Sequence, residues 1–211
     1  NLLEIDGAGI RGEVYWDGKK LGDLPYAYMA EQFIFDAGEM GEHHLSILLV
    51  NRHNEQFYPT FDFFGYGGIY GDVTLTALPE IHMEKLRITT ENYQNGELRI
   101  RAELSSAVEQ EAVLQFENGY TVNAMFQNGK LDCRITLPDF KLWSVETPYL
   151  HTVTITAGDD KITESFGIRE FRTEGRKLLL NGKEIKLYGV NRHESFPTVG
   201  AAVSPQQMAM D

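Results

Sequence analysis

Two stretches of the chain combine residue types that could do chemistry. The first is Asn191-Arg192-His193-Glu194, four polar side chains directly after the apolar run IKLYGV (185–190). An imidazole flanked by an amide, a guanidinium and a carboxylate can exchange hydrogen bonds with a ligand or hold a proton. A near-continuous apolar run of that length reads as a buried strand of a parallel sheet. Barrel enzymes keep their reactive groups at the carboxyl ends of such strands. A solvated loop with a local Arg–Glu pair is the competing reading of the same four residues.

The second stretch is QFYPTFDFFGYGGIYG (56–71), where Phe57, Tyr58, Phe61, Phe63, Phe64, Tyr66 and Tyr70 surround one carboxylate, Asp62. Flat aromatic faces suit the C–H faces of a sugar ring, and a carboxylate suits its hydroxyls. A glycine-rich crossover with aromatics packed beneath a sheet would have the same composition. The glycines form no nucleotide fingerprint, because Tyr70 stands where the last glycine of GxGxxG belongs and no βα context surrounds it.

Other chemistries find less support. His43 and His44 would point to opposite faces of a strand, so with His53 they make a poor metal site, and no metal ligands are assigned. Cys133 is the single cysteine, which excludes an internal disulfide and a thiolate cluster. In KLDCRITL it alternates with polar residues as a core thiol would. The net charge of −12 argues against nucleic acid, whose phosphates are gripped by clustered Lys and Arg. No apolar run reaches the roughly 18 residues a membrane-spanning helix needs. NLLEIDG at the start does not resemble a signal peptide, and the compartment stays open.

The elements that must position these groups are mostly strands. Asp6-Gly7, Asp17-Gly18, Asn95-Gly96, Asn118-Gly119, Asn128-Gly129 and Asn181-Gly182 each tolerate the positive φ angles of tight hairpins. Between them the apolar residues alternate: Leu98, Ile100, Ala102 and Leu104 in ELRIRAEL, Val153 and Ile155 in HTVTITA. A break is expected near Pro79. The stretch after it holds the seven or so strands of an immunoglobulin-like sandwich, and the stretch before it has too few for a closed two-sheet domain. Near the end, Ser204, Pro205 and Gln207 form the signature of a helix start. Strand, polar loop and helix make one β/α unit, which cannot bury its own faces, so the chain is expected to be the front portion of a longer protein.

These residues also resemble a known family. FGIRE (166–170), LLLNGKEIKLYGVNRHE (178–194) and VSPQQMAMD (203–211) are similar to the segment leading into the catalytic barrel of family 2 glycoside hydrolases. LWSVETPYL (142–150) resembles the late part of that family's immunoglobulin-like domain. FDFFGYGGIYGDVTL (61–75) and GEVYWDGKKLG (12–22) resemble its sugar-binding jelly roll.

The resemblance implies a mainly β chain: a partial jelly-roll β-sandwich at 1–79, an immunoglobulin-like β-sandwich at 80–166, and the first β/α unit of a truncated TIM barrel at 167–211. It implies a retaining glycosidase with two glutamates, both beyond Asp211, so that no catalytic residue lies in this chain and the chain alone is inactive. Asp62 and His193 would touch the sugar, while Asn191, Arg192 and Glu194 would brace the wall. NRHE followed by Pro197, Gly200 and AVSP is most similar to β-galactosidases. Two departures are Gly71, where relatives carry Arg, and DLPYAYM (23–29), which lacks a His-x-Gly-Gly run. A β-glucuronidase or other family 2 glycosidase is the alternative, and a stand-alone carbohydrate-binding sandwich is the alternative from another class. The expected partner is a β-galactoside, with neither nucleic acid nor membrane. No cofactor is implied for this portion; a metal ion in the complete enzyme and a homo-oligomeric parent are both compatible with the resemblance.

Overall fold

The computed structural model describes residues 1–51, 66–193 and 195–210. The chain divides into two compact units, residues 1–77 with 190–211, and residues 78–189. Asp62 and Glu194 lie outside the described residues.

The first unit contains β1 (Leu2–Ile5), β2 (Ala8–Gly9), β3 (Arg11–Trp16), β4 (Lys19–Leu24), β5 (Glu31–Ile34), β6 (Leu45–Val50), β7 (Gly68–Ile69) and β8 (Val73–Thr76). Two three-stranded sheets, in the orders β5-β1-β8 and β4-β3-β6, are joined by a short pair, β2-β7. Alternation puts Leu3, Ile5, Val14 and Leu24 inside, against Phe33, Phe35, Ile47 and Leu49. The β3–β4 hairpin turns at Asp17-Gly18, with φ of 48° and 78° as a two-residue primed turn demands. Asp6-Gly7 makes no hairpin. It is the step between β1 and β2, where a Cβ on Gly7 would lie 2.8 Å from the Tyr70 ring.

The main body of the second unit is an immunoglobulin-like sandwich of seven strands: β9 (Met83–Asn92), β10 (Glu97–Leu104), β11 (Gln110–Phe116), β12 (Thr121–Phe126), β13 (Lys130–Thr136), β14 (His151–Ala157) and β15 (Asp160–Phe166). They form the sheets β13-β10-β9 and β12-β11-β14-β15. Leu98, Ile100, Leu114, Phe116, Phe126, Val153 and Ile155 fill the space between, each 2% exposed or less. Fully burying such side chains contributes roughly 1.5–3 kcal/mol apiece before chain entropy is opposed to it. Cys133 is half-buried on the inner face of β13, as its alternation predicts. Burial, with Asp132 beside it, pushes its thiol pKa up.

A small meander follows, β16 (Phe171–Glu174), β17 (Lys177–Leu180) and β18 (Lys183–Ile185). It belongs to the second unit because Asn181, at φ 49° in the β17–β18 turn, is tied there: its Nδ2 donates to the Trp143 carbonyl and its Oδ1 accepts from Glu170 N–H, both at 2.9 Å.

The buried parallel strand expected at 185–190 is not observed. Strand structure stops at Ile185, and Leu187, Tyr188 and Val190 are 70%, 91% and 92% exposed. The physical reason is pairing: a strand forms by exchanging backbone hydrogen bonds with a neighbour. Among the described residues no strand lies beside 186–190. The helix does form where Ser204 predicts it. In α1 (Pro205–Met208) the Ser204 side chain accepts from Gln207 N–H, and the Gln207 side chain accepts from Ser204 N–H.

Candidate functional site

Within the first unit, the end of the aromatic run and the polar cluster near residue 193 meet. Tyr66 OH and Ser195 Oγ are 2.8 Å apart, a hydrogen bond between residues 129 positions apart in sequence. Beside it, 196–200 closes on itself. Phe196 N–H donates to Gly200 O at 2.9 Å, Gly200 N–H donates back to Phe196 O at 2.9 Å, and Val199 N–H donates to Phe196 O at 3.2 Å. Gly200 adopts φ of 60°, a left-handed conformation that favours glycine. A Cβ there would stand 3.0 Å from the Tyr66 ring, so the turn lies directly against that ring.

Gly67 and Gly71 serve close approach. A Cβ on Gly67 would fall 2.3 Å from the Cβ of Asn51, closer than atoms can sit. Tyr70 N–H and Gly71 N–H both donate to Gly7 O, at 3.0 and 3.1 Å. The Tyr70 hydroxyl accepts from Tyr28 N–H at 2.8 Å, and the two rings stack 5.1 Å apart. Tyr66 and Tyr70 are therefore fixed by packing and hydrogen bonds, as the crossover reading of these aromatics expects. The remaining five aromatics of the run, with Asp62, lie outside the described residues.

Asn191, Arg192 and His193 are exposed on the segment that reaches Ser195. Arg192 Nη1 lies 3.5 Å from the carbonyl of Met208, a long contact to the last turn of α1. The Arg192–Glu194 pairing falls on Glu194 and so outside the described residues. His193 thus stands two positions in sequence from the anchored Ser195 hydroxyl and seven from Gly200, which lies against the Tyr66 ring. Ser195 and Gly200 were not legible as positioning residues, because no local pattern couples them to Tyr66.

The other histidines have structural surroundings. His43 Nδ1 lies 2.7 Å from Asp17 Oδ2 and its Nε2 lies 2.8 Å from Glu39 O, with the ring stacked on Trp16. The hydrogen bond that the Asp17 carboxylate accepts from His43 holds the His43 pKa above its ordinary value; His43 and the His44 N–H in turn hold Asp17 below the ordinary carboxylate value. In the second unit, His151 is 3% exposed, with Nδ1 2.5 Å from Glu117 Oε1. Burial alone would raise the Glu117 carboxyl, yet hydrogen bonds from Thr152 N–H and His151 outweigh it and leave the pKa lowered. This pair ties the residue after β11 to the first residue of β14.

Comparison with known proteins places this architecture. The family model "Glycosyl hydrolases family 2" matches residues 80–169, and "Glycosyl hydrolases family 2, TIM barrel domain" matches residues 171–211. A putative β-glucuronidase of Formosa agariphila is 32% identical over 99% of the chain, and a β-galactosidase of Lactobacillus delbrueckii subsp. bulgaricus is 26% identical over 99%. The chain spans only 28% and 22% of those two proteins. Among solved structures, a GH2 β-galacturonidase of Eisenbergiella tayi bound to galacturonate superimposes over 99% of this chain and 40% of its own, with a TM-score of 0.85 and 25% identity. With two successive family models matched in order along most of its length, the chain belongs to glycosyl hydrolase family 2.

Proposed function

We propose that the protein carrying this chain is a retaining β-glycosidase acting on terminal β-galactosides, and that this chain supplies a wall of its sugar subsite. In such an enzyme two carboxyl groups about 5–5.5 Å apart act as nucleophile and as acid/base. Neither is assigned to these 211 residues, so the chain binds and positions without breaking the glycosidic bond. His193 donates a hydrogen bond to a sugar hydroxyl, Asp62 accepts one from another hydroxyl, and Asn191, Arg192 and Glu194 support them.

The observation that carries the shared subsite is the Tyr66–Ser195 hydrogen bond. It ties the segment bearing His193 to a tyrosine four positions after Asp62. The sugar is favoured as galactose by the NRHE, Pro197, Gly200 and AVSP pattern and by β-galactosidases among the relatives. A uronide is the second reading, supported by the relative named a putative β-glucuronidase and the β-galacturonidase fold match.

A substrate panel tests the assignment. The gene product that carries this chain should turn over aryl β-galactoside with a kcat/KM at least about tenfold above those for the matching β-glucuronide and β-galacturonide. A reversed order replaces the galactoside reading with the uronide one. The isolated 211-residue chain should show no turnover of any of the three, and turnover by it would overturn the division of labour.

A further inference from the structure

The outer face of the sheet β13-β10-β9 carries an unusual concentration of cations for a chain of net charge −12. Register sets them in rungs. Arg101 of β10 lies directly opposite Arg87 of β9 on one side and Asp132 of β13 on the other. The next rung aligns Lys85, Glu103 and Lys130. Like charges directly opposite on neighbouring strands repel, and the usual relief is an intervening carboxylate.

On this rung the carboxylate is present, but its hydrogen bonds go to a neighbouring rung. Asp132 is committed to Arg99, which donates to both of its oxygens at 2.8 and 2.6 Å. Glu103 is committed to Lys85 at 2.7 Å. The side chains of Arg87 and Lys130 take part in no hydrogen bond or ion pair among the described residues. Arg101 has its Nε buried without an acceptor. An unpaired buried donor on a guanidinium directly opposite a second guanidinium marks this rung as under-compensated. Arg87, Arg101, Glu103, Lys130 and Asp132 surround a recess of about 270 Å³.

We propose that this recess binds an oxyanion carried on a sugar, a carboxylate or a sulfate ester, between the guanidinium groups of Arg87 and Arg101 with Lys130 at its rim. Guanidinium forks match the planar two-oxygen edge of a carboxylate and the oxygens of a sulfate, and two of them facing each other form a clamp rather than a repulsive pair. The recess lies on the seven-stranded sandwich, within the second unit, and involves none of the residues of the proposed sugar subsite. The oxyanion stands on this geometry alone, whereas the sugar that carries it rests on the glycosidase reading above.

Calorimetric titration of the protein at low ionic strength with galacturonate, inorganic sulfate and neutral galactose tests this. Galacturonate and sulfate should bind, and R87Q or R101Q should each weaken both by about tenfold or more. R134Q removes a charge from the same face outside the recess and should change the affinity by less than about twofold. Galactose should produce no heat that R87Q or R101Q abolishes. No oxyanion binding, or binding that R134Q weakens as much as R87Q, would overturn the site. Sulfate binding without galacturonate binding would overturn the sugar-borne ligand, leaving the glycosidase reading to stand or fall on the substrate panel. R87Q is on an exposed side chain, so its result is readable even if R101Q unfolds.

Discussion

Replacing Gly200 with alanine probes the join between the aromatic run and the segment bearing His193. Two separate costs are expected. At φ of 60° any Cβ meets its own backbone, at about 1–2 kcal/mol. The new methyl would also lie 3.0 Å from the Tyr66 ring, which the Ser195 hydrogen bond holds in place, adding about 1–2 kcal/mol of overpacking. The sum, roughly 2–4 kcal/mol, corresponds to about a 30- to 1000-fold larger population of the opened turn. Amide hydrogen exchange at Phe196, whose N–H donates to residue 200, reads that opening directly.

Two further variants separate the terms. Gly18→Ala, at φ of 78° with nothing within 4 Å of its Cβ, should show only the backbone part in its own hairpin. Gly200→Ala on a Tyr66→Ala background should lose the ring-contact part. If Gly200→Ala costs the same with and without the Tyr66 ring, the packing argument for this junction is refuted.

Phe126→Ala should destabilise the seven-stranded sandwich by about 3–5 kcal/mol, since the ring is fully buried; urea unfolding followed by Trp143 fluorescence checks it, and a loss under about 2 kcal/mol contradicts the core assignment. The Asp17–His43 pair should stabilise most between about pH 4 and 6.5. The raised His43 pKa contributes fully below the unfolded value and fades as pH rises through the folded one; the lowered Asp17 pKa contributes above its unfolded value and fades as pH falls through the folded one. The melting-temperature difference between the parent and His43→Gln should therefore peak in that window, and a difference flat with pH would contradict the pair. Cys133 should react with a disulfide reagent at least about tenfold more slowly in the folded protein than after denaturation, because burial raises its thiol pKa; equal rates would place it at the surface.

The strands were legible wherever one face is buried. The ELRIRAEL segment alternates because Leu98, Ile100, Ala102 and Leu104 must all meet the opposite sheet, and Asn128-Gly129 and Asn181-Gly182 turn where their positive φ angles allow. Ser204 and Gln207 announce α1 because a capping box is a local interaction. Local signals failed where the determinant is distant. Gly7 looks like a turn residue but exists to admit the Tyr70 ring from 63 positions away. IKLYGV has a strand's composition, yet pairing depends on a neighbour that its own residues do not specify. The Tyr66–Ser195 bond leaves no trace in either segment's pattern, which is why the candidate residues were readable by type and the contact joining their segments was not.

The shared sugar subsite is tested most directly by steady-state kinetics of the gene product carrying Asp62→Asn, His193→Asn or both, on an aryl β-galactoside. On the proposed reading each substitution weakens a hydrogen bond to a sugar hydroxyl, a loss of about 1.5–3 kcal/mol, so kcat/KM should fall roughly 10- to 150-fold in each single variant with the fold intact. The double variant should lose less than the product of the two, because both groups hold one ring. A kcat/KM within about threefold of the parent for either single variant would contradict the subsite.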